Sequence, residues 1–371
     1  MLLSTCPGLE EIESMTLLPL VGSSNRVYNL SRSNLGTIVL EPSERKLLGN
    51  YAAQSTGLLS ALAMEFKRHN DTTLRRPRSL FADRFNFAIP SVAVFRQGAV
   101  GDLATGRVET CDQVEPGKSP RCYLVQFGHC FVDKEPFNIT KRKLPKFKTV
   151  AMFSDRFSLA FFHQHVEQLT RIVAINEFLE QTEADVTILI RGGRRPVVRT
   201  FLKLVGDLLG QQVADKILVP KMDLFYADTL LVVEPTPCGA LQPVKAHWTN
   251  QAIRRLSSQV TATNRHILMI RRRKKRDIVN HDELLFALQT RLPHETIVVF
   301  DELELPNVGV DQWRLFMNAK VVVGPHGAGF SNLLASQKDT VVVELLPNIP
   351  KYINFCFMSL SVALGMEYHP L

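Results

Sequence analysis

The residues best suited to chemistry stand in the run Val323-Gly324-Pro325-His326-Gly327-Ala328-Gly329-Phe330-Ser331-Asn332. An apolar strand ends there, glycines on either side of Ala328 allow a tight turn, and a helix begins. A helix N-terminus offers unpaired backbone N–H groups and the positive end of its dipole, which together suit a phosphate. Gly327 and Gly329 let backbone approach such an anion closely, and His326 can add a hydrogen bond. A packing turn would explain any one glycine; His326, Gly327 and Gly329 together favour an anion site.

A second source of positive charge is the run Arg271-Arg272-Arg273-Lys274-Lys275-Arg276. Such a run is more often a nucleic-acid patch or solvated surface. Here it falls between an apolar strand at 266–270 and a helix at 280–292, so it opens onto the same edge as the histidine-glycine loop. Asn280 stands where it can cap that helix, with Glu283 completing a capping box. Glu344 ends another apolar strand, where a carboxylate can meet a ribose hydroxyl or be simple surface. Farther upstream, His163 and Glu167 stand four apart and share a helix face, with His165 between them. A histidine–carboxylate pair can orient an acceptor hydroxyl or take its proton, although a lone helical histidine is usually structural. No Asp-x-Asp occurs in the chain, so the usual metal–diphosphate clamp has no candidate and no metal ligand is assigned. Arginines and a helix N-terminus would stabilise a leaving diphosphate instead.

Positioning these residues requires two α/β layers. Residues 1–85 lack sustained periodicity apart from a helix candidate at 51–67 and read as an extension or stem. Residues 86–240 hold strand-like runs at 91–95 and 122–127, an amphipathic helix at 158–179, a buried strand at 186–190, a helix at 198–209, and strands at 216–219 and 230–233. Pro235, Pro237, Gly239 and Pro243 form a breaker-rich linker. Residues 241–371 then alternate short apolar strands (266–270, 296–300, 319–323, 340–345) with helices (280–292, 310–318, 328–335, 353–364). All-apolar strands alternating with helices indicate a parallel sheet covered on both faces. Two such halves predict an α/β protein with two Rossmann-like domains facing a cleft, ligands lying at the carboxyl ends of the strands.

Composition sets wider bounds. The 371 residues are 45% hydrophobic and carry a net charge of +8, which suits a folded protein with an anionic partner. Cys6, Cys111, Cys122, Cys130, Cys238 and Cys356 contain no C-x-x-C pair; Cys122 and Cys130 could bridge or stay as thiols. Sequons begin at Asn29, Asn70 and Asn138, a weak pointer to a secretory lumen. The apolar residues 17–21 follow Glu10, Glu11 and Glu13 rather than a positive region, so a signal or membrane anchor is expected outside this sequence.

In order along the chain, these motifs resemble glycosyltransferase family 61. That family includes plant glycan xylosyl- and arabinosyltransferases and animal O-GlcNAc transferases acting on EGF domains and dystroglycan. Phe161-Phe162-His163 followed by Glu167, Leu169 and Arg171 is similar to the family's aromatic–histidine helix. Ile270, Arg272, Arg276, Ile278, Asn280, Glu283 and Leu284 match its arginine–arginine–asparagine signature, and Gln312, His326-Gly327-Ala328-Gly329, Asn332 and Glu344 its C-terminal one. Thr170 stands at a usual proline, His165 in a usually more aromatic stretch, and His281 at a common glutamate, departures that bear on the acceptor more than the donor.

The resemblance implies a GT-B fold and an inverting, metal-independent transfer of sugar from a UDP-sugar donor to a glycan or glycoprotein acceptor in the Golgi or endoplasmic reticulum lumen. On that reading Arg272, Arg276, His326, Gly327 and Gly329 hold the diphosphate, Ala328, Asn280 and Asn332 complete the donor signature, and Glu344 meets the ribose. Glu167 or His163 acts near the acceptor. The rivals are a degenerate transferase kept as a scaffold and a nucleotide-sugar epimerase on the same fold. An esterase lacks its G-x-S-x-G elbow, and nucleic acid is not expected as a partner because the basic run has no aromatic neighbours.

Overall fold

The computed structural model describes residues 26–29, 91–111, 122–126, 144–153, 158–182, 185–192, 195–233, 243–256, 265–273, 276–301, 309–347 and 356–371. Nearly all of the expected extension, the 51–67 helix, Cys130, the sequons at Asn70 and Asn138, Lys274, Lys275 and most of the linker lie outside the described residues. The described residues form two compact units, divided between positions 238 and 239. Among them no helix is long and apolar enough to cross a membrane.

The first unit is built on strands β1 (Arg26–Asn29), β2 (Ser91–Asp102), β3 (Arg107–Cys111), β4 (Cys122–Gln126), β5 (Lys146–Met152), β6 (Thr187–Leu189), β7 (Ile217–Leu218) and β8 (Leu224–Val233). Their order is β4-β3-β2-β8-β5-β6-β7, with β1 paired to β2. The block β8-β5-β6-β7 is parallel, as a helix-alternating sequence requires. Strands β1 to β4 add an antiparallel half. A local device makes its hairpin: Asp102 accepts the Ala104 N–H at 2.8 Å and the Thr105 hydroxyl at 2.6 Å, and Gly106 adopts φ 74°. Sequence reading placed no strand at β5, because Lys146 and Lys148 interrupt its apolar run. Only its carboxyl half, Val150 to Met152, is buried. There it joins Phe95, Leu103, Leu189, Phe225, Leu230 and Val232 in the core.

The chain runs from β5 outward to β6 and β7, then returns to β8 on the other side of β5. The carboxyl ends of β5 and β8 therefore flank a reversal of strand order, the place where open α/β sheets bind ligands. The helix that follows β5 starts as a π-helical turn, His163–Gln168, and continues as α1, Leu169–Thr182. Arg171, 1% exposed, donates to the Phe153 carbonyl just beyond β5 and, at 2.9 Å, to the Val233 carbonyl ending β8. Helices α2 (Arg195–Leu209) and α3 (Gln211–Ala214) complete the unit.

In the second unit, helix α4 (Pro243–Leu256) precedes a five-stranded sheet of β9 (His266–Arg271), β10 (Ile297–Asp301), β11 (Ala319–Pro325), β12 (Val341–Leu345) and β13 (Glu367–Pro370). All its pairings are parallel, in the order β10-β9-β11-β12-β13. This is a doubly wound order whose reversal lies between β9 and β11. Helices α5 (His281–Arg291), α6 (Val310–Met317) and α7 (Cys356–Ala363) alternate with the strands, and Ala328–Ala335 is a 3-10 helix.

Three expectations need correction here. Pro243, read as a breaker, opens α4, because a missing N–H costs nothing in a first turn. The segment after Gly327 is 3-10 rather than α; its end is held by Asn250 of α4, whose amide donates to the carbonyls of Leu334 and Ser336 at 2.8 and 2.9 Å. Asn280 does occupy the N-cap position of α5, but its side chain makes no capping bond, so no capping box forms.

Candidate donor and acceptor sites

The reversal between β9 and β11 gathers the basic residues singled out from sequence. Arg272 follows β9 directly, and its Nη1 donates to the His326 carbonyl at 3.0 Å. Its guanidinium lies over Gly327 so closely that a Cβ there would stand 1.6 Å from Nη1. A side chain at 327 would have to push the guanidinium end of Arg272 aside. Gly324 has a different reason, since a Cβ on it would meet Ile270 of the adjacent strand at 2.6 Å. Arg276 is exposed and holds a left-handed backbone, φ 59°. Non-glycine residues pay for that conformation with steric strain, and such strain concentrates at functional positions. Asn280 is exposed and free of a capping duty.

His326 and Glu344 come together although 18 residues separate them in the chain, because parallel register sets Gly324 opposite Glu344. His326 Nδ1 donates to Glu344 Oε1, and Tyr368 of β13 donates to Glu344 Oε2 at 2.5 Å. Glu344 is wholly buried and His326 nearly so. A buried carboxylate demands such partners. Burial, with the Glu344 charge beside it, raises the Tyr368 phenol far above its ordinary range, so it stays protonated and keeps donating. Where sequence reading had Glu344 meet a ribose, the structure stands it behind His326. Asn332 is likewise buried: its amide donates to Gln312 Oε1 and to the Gly329 carbonyl, both at 3.2 Å, tying the loop to α6. Ala328 is half-buried at the start of the 3-10 helix.

In the first unit His163 Nδ1 and Glu167 Oε2 stand 2.6 Å apart, with His163 19% exposed and Glu167 2%. The imidazole is the accessible member and the carboxylate the support. His165 plays another part. Its ring stacks on Phe161 at 3.8 Å, meets Phe201 edge-on, and its Nδ1 lies 3.0 Å from the Phe161 carbonyl. Burial lowers its pKa to about 4, opposed only by that backbone contact. A neutral, stacked imidazole serves here as an aromatic residue. Thr170, the other departure, donates its hydroxyl to the Glu167 carbonyl at 3.1 Å, satisfying a carbonyl of the π turn.

Sequence reasoning missed Tyr368, which lies on a strand it did not foresee, and Gln164 and Gln168, buried on the π turn. It noted Arg171 only as a motif member; an arginine in an apolar helical stripe was the signal for a buried cation. A family model described as Glycosyltransferase 61 matches residues 161–343, a span that starts two residues before His163 and ends one before Glu344. No curated protein matched the chain. Residues 161–343 thus form a glycosyltransferase family 61 domain, and the protein is a glycosyltransferase.

Proposed function

We propose that this glycosyltransferase moves a sugar from a UDP-sugar to a hydroxyl of a glycan or glycoprotein, with inversion and without a metal ion, in the Golgi or endoplasmic reticulum lumen. Residues 86–240 would serve the acceptor and 241–371 the donor, two Rossmann-like domains in a GT-B arrangement, with 1–85 as an extension. The observation that carries the reading is Arg272 lying on the His326-Gly327 backbone at the β9/β11 reversal. A diphosphate there meets a guanidinium, an imidazole backed by Glu344, and loop backbone. Arg276 and Asn280 stand a few residues along the same strand end.

The step follows from these roles. The His163–Glu167 pair takes the proton of the acceptor hydroxyl, and the oxygen attacks the anomeric carbon from the face opposite the diphosphate. The bond from that carbon to the diphosphate oxygen breaks as the new one forms, inverting the centre. The leaving charge rests against Arg272 and Arg276, fixed positive groups that need no reorganisation, with His326 beside them. Glu344 acts through His326, whose Nδ1–H it accepts.

Calorimetric titration with UDP, with and without chelator, tests the donor half. Binding should survive chelator, and Arg272→Ala should cost about 2–4 kcal/mol, as loss of one preorganised donor does. A folded wild-type protein that does not bind UDP would sink the reading.

A further inference from the structure

Of the six cysteines, Cys111, Cys122 and Cys356 lie among the described residues, and two of these occupy a single register position. Cys111 ends β3 and Cys122 begins β4. The antiparallel ladder pairs Arg107 with Gln126, Val108 with Val125, Glu109 with Leu124 and Thr110 with Tyr123, and its last rung sets Cys111 opposite Cys122. Opposite residues of such a pair share a face of the sheet, with Cα atoms about 4.5 or 5.5 Å apart according to whether they exchange hydrogen bonds. A disulfide needs about 4.4–6.8 Å between Cα atoms. Either kind of rung meets that requirement. The Cβ atoms must draw a little closer than in an unlinked pair, to about 3.8 Å. The end of a ladder, paired on one side only, is where backbone yields to this most readily.

The neighbouring hairpin shows what a covalent tie would supply. Strands β2 and β3 are joined through the tight Asp102–Gly106 turn, and turn geometry sets register. Strands β3 and β4 are joined by residues 112–121, Asp-Gln-Val-Glu-Pro-Gly-Lys-Ser-Pro-Arg. That connection is longer than the roughly two to five residues of ordinary hairpin loops. Strand β4 is also the outermost strand of its sheet, paired with β3 alone among the described strands. A long loop and a single neighbour hold register weakly, and a slip of one residue turns every side chain of a strand to the other face. A bond between the facing cysteines fixes the pairing.

We infer that Cys111 and Cys122 form a disulfide that pins β4 to β3 in this register. The inference stands apart from the transferase reading. Sequence spacing offers Cys130 as a partner for Cys122, whereas strand register offers Cys111. The bond forms by exchange with a disulfide-bearing oxidant such as oxidised glutathione. One cysteine thiolate attacks the oxidant and expels its first thiolate; the second cysteine attacks the mixed disulfide and expels the other. Two protons and two electrons pass from the cysteines to the oxidant, which leaves as two thiols. Such a bond persists in a secretory lumen and is reduced in an ordinary cytosol, so it ties the chain to an oxidising compartment.

Disulfide mapping on the full chain decides the pairing. The protein is equilibrated with reduced and oxidised glutathione, denatured, blocked with N-ethylmaleimide, and digested without reduction by trypsin and chymotrypsin. Cleavage after Lys118 or Arg121 separates Cys111 from Cys122, and cleavage after Phe127 separates Cys122 from Cys130. Mass spectrometry should find the Cys111 fragment joined to the Cys122 fragment. A link from either cysteine to Cys130, or both thiols blocked, would overturn the inference. Thermal melting tests the staple. Reductant should lower the wild-type midpoint by about 3–10 °C and leave a Cys111→Ser, Cys122→Ser double variant unmoved. The single variants should melt with the double one, since loss of either thiol removes the same bond. A wild type that melts alike with and without reductant would show that the bond pins nothing. UDP titration of the oxidised chain reads the donor site separately: its failure would strike the transferase reading and leave the cysteine map standing.

Discussion

In the first unit Glu167 holds His163 from four residues away on one helix, and the imidazole keeps 19% of its surface. In the second, Glu344 holds His326 from a neighbouring strand, both are buried, and Tyr368 occupies the carboxylate's other oxygen. The same two side-chain types are thus set to different work. A supported, accessible imidazole can exchange a proton with a substrate. A buried imidazole locked between a carboxylate and a loop under an arginine is a fixed feature of the electrostatic field. The surroundings separate the two functions, and each should fail in its own kinetic parameter.

The largest expected effect breaks the first pair. His163→Ala should lower turnover by about 10²–10⁴-fold, the usual worth of a positioned base, while UDP affinity is unchanged. His326→Ala should do the converse, weakening UDP by about 1.5–3 kcal/mol, as loss of a hydrogen bond to a charged group does. Steady-state kinetics and titration on the same preparations read both. If His163→Ala weakened UDP as much as it slowed turnover, the two pairs would not divide base from clamp.

A smaller effect separates His165 from the histidines of both pairs. Its folded pKa of about 4 lies below its ordinary 6.5. Between those values the unfolded chain binds a proton that the folded protein refuses. Stability is therefore complete above pH 6.5 and falls as pH drops toward 4, by on the order of 3 kcal/mol in all. His165→Phe keeps the stack on Phe161 and removes the proton. Urea unfolding across pH 7 to 4 should show the variant losing less stability than the wild type, with little difference at pH 7. Equal acid slopes would mean that His165 is protonated within the fold.

The two pairs also differ in how far sequence reveals them. His163 and Glu167 were legible because helical spacing alone brings positions four apart together. Strand–helix alternation likewise announced the second sheet, and the reversal at β9/β11 turned a basic run and a glycine loop into neighbours. The His326–Glu344 contact needed parallel register across 18 residues, and Tyr368 needed a strand whose alternating Glu367 and His369 hide its buried face. The antiparallel strands β2 to β4 were illegible as a pairing because hairpin register depends on turns such as Asp102–Gly106. The π turn left no mark in the periodicity, which measures apolar spacing rather than hydrogen-bond pattern.

The smallest effect tests where the donor set ends. Asn280 has the residue type, position and Glu283 partner of a helix cap, yet its side chain makes no capping bond. Replacing a working asparagine cap by alanine costs about 0.5–2 kcal/mol of stability. Asn280→Ala should therefore shift the thermal midpoint very little. If the exposed amide instead meets the nucleotide, the same variant should weaken UDP by about 0.5–1.5 kcal/mol, the net worth of one ordinary hydrogen bond. Melting and titration of one preparation distinguish the roles, because a cap moves the first reading and a ligand contact the second. A loss of stability near 1 kcal/mol with UDP affinity intact would return Asn280 to the helix and leave Arg272, Arg276 and the His326–Glu344 pair as the donor-side set.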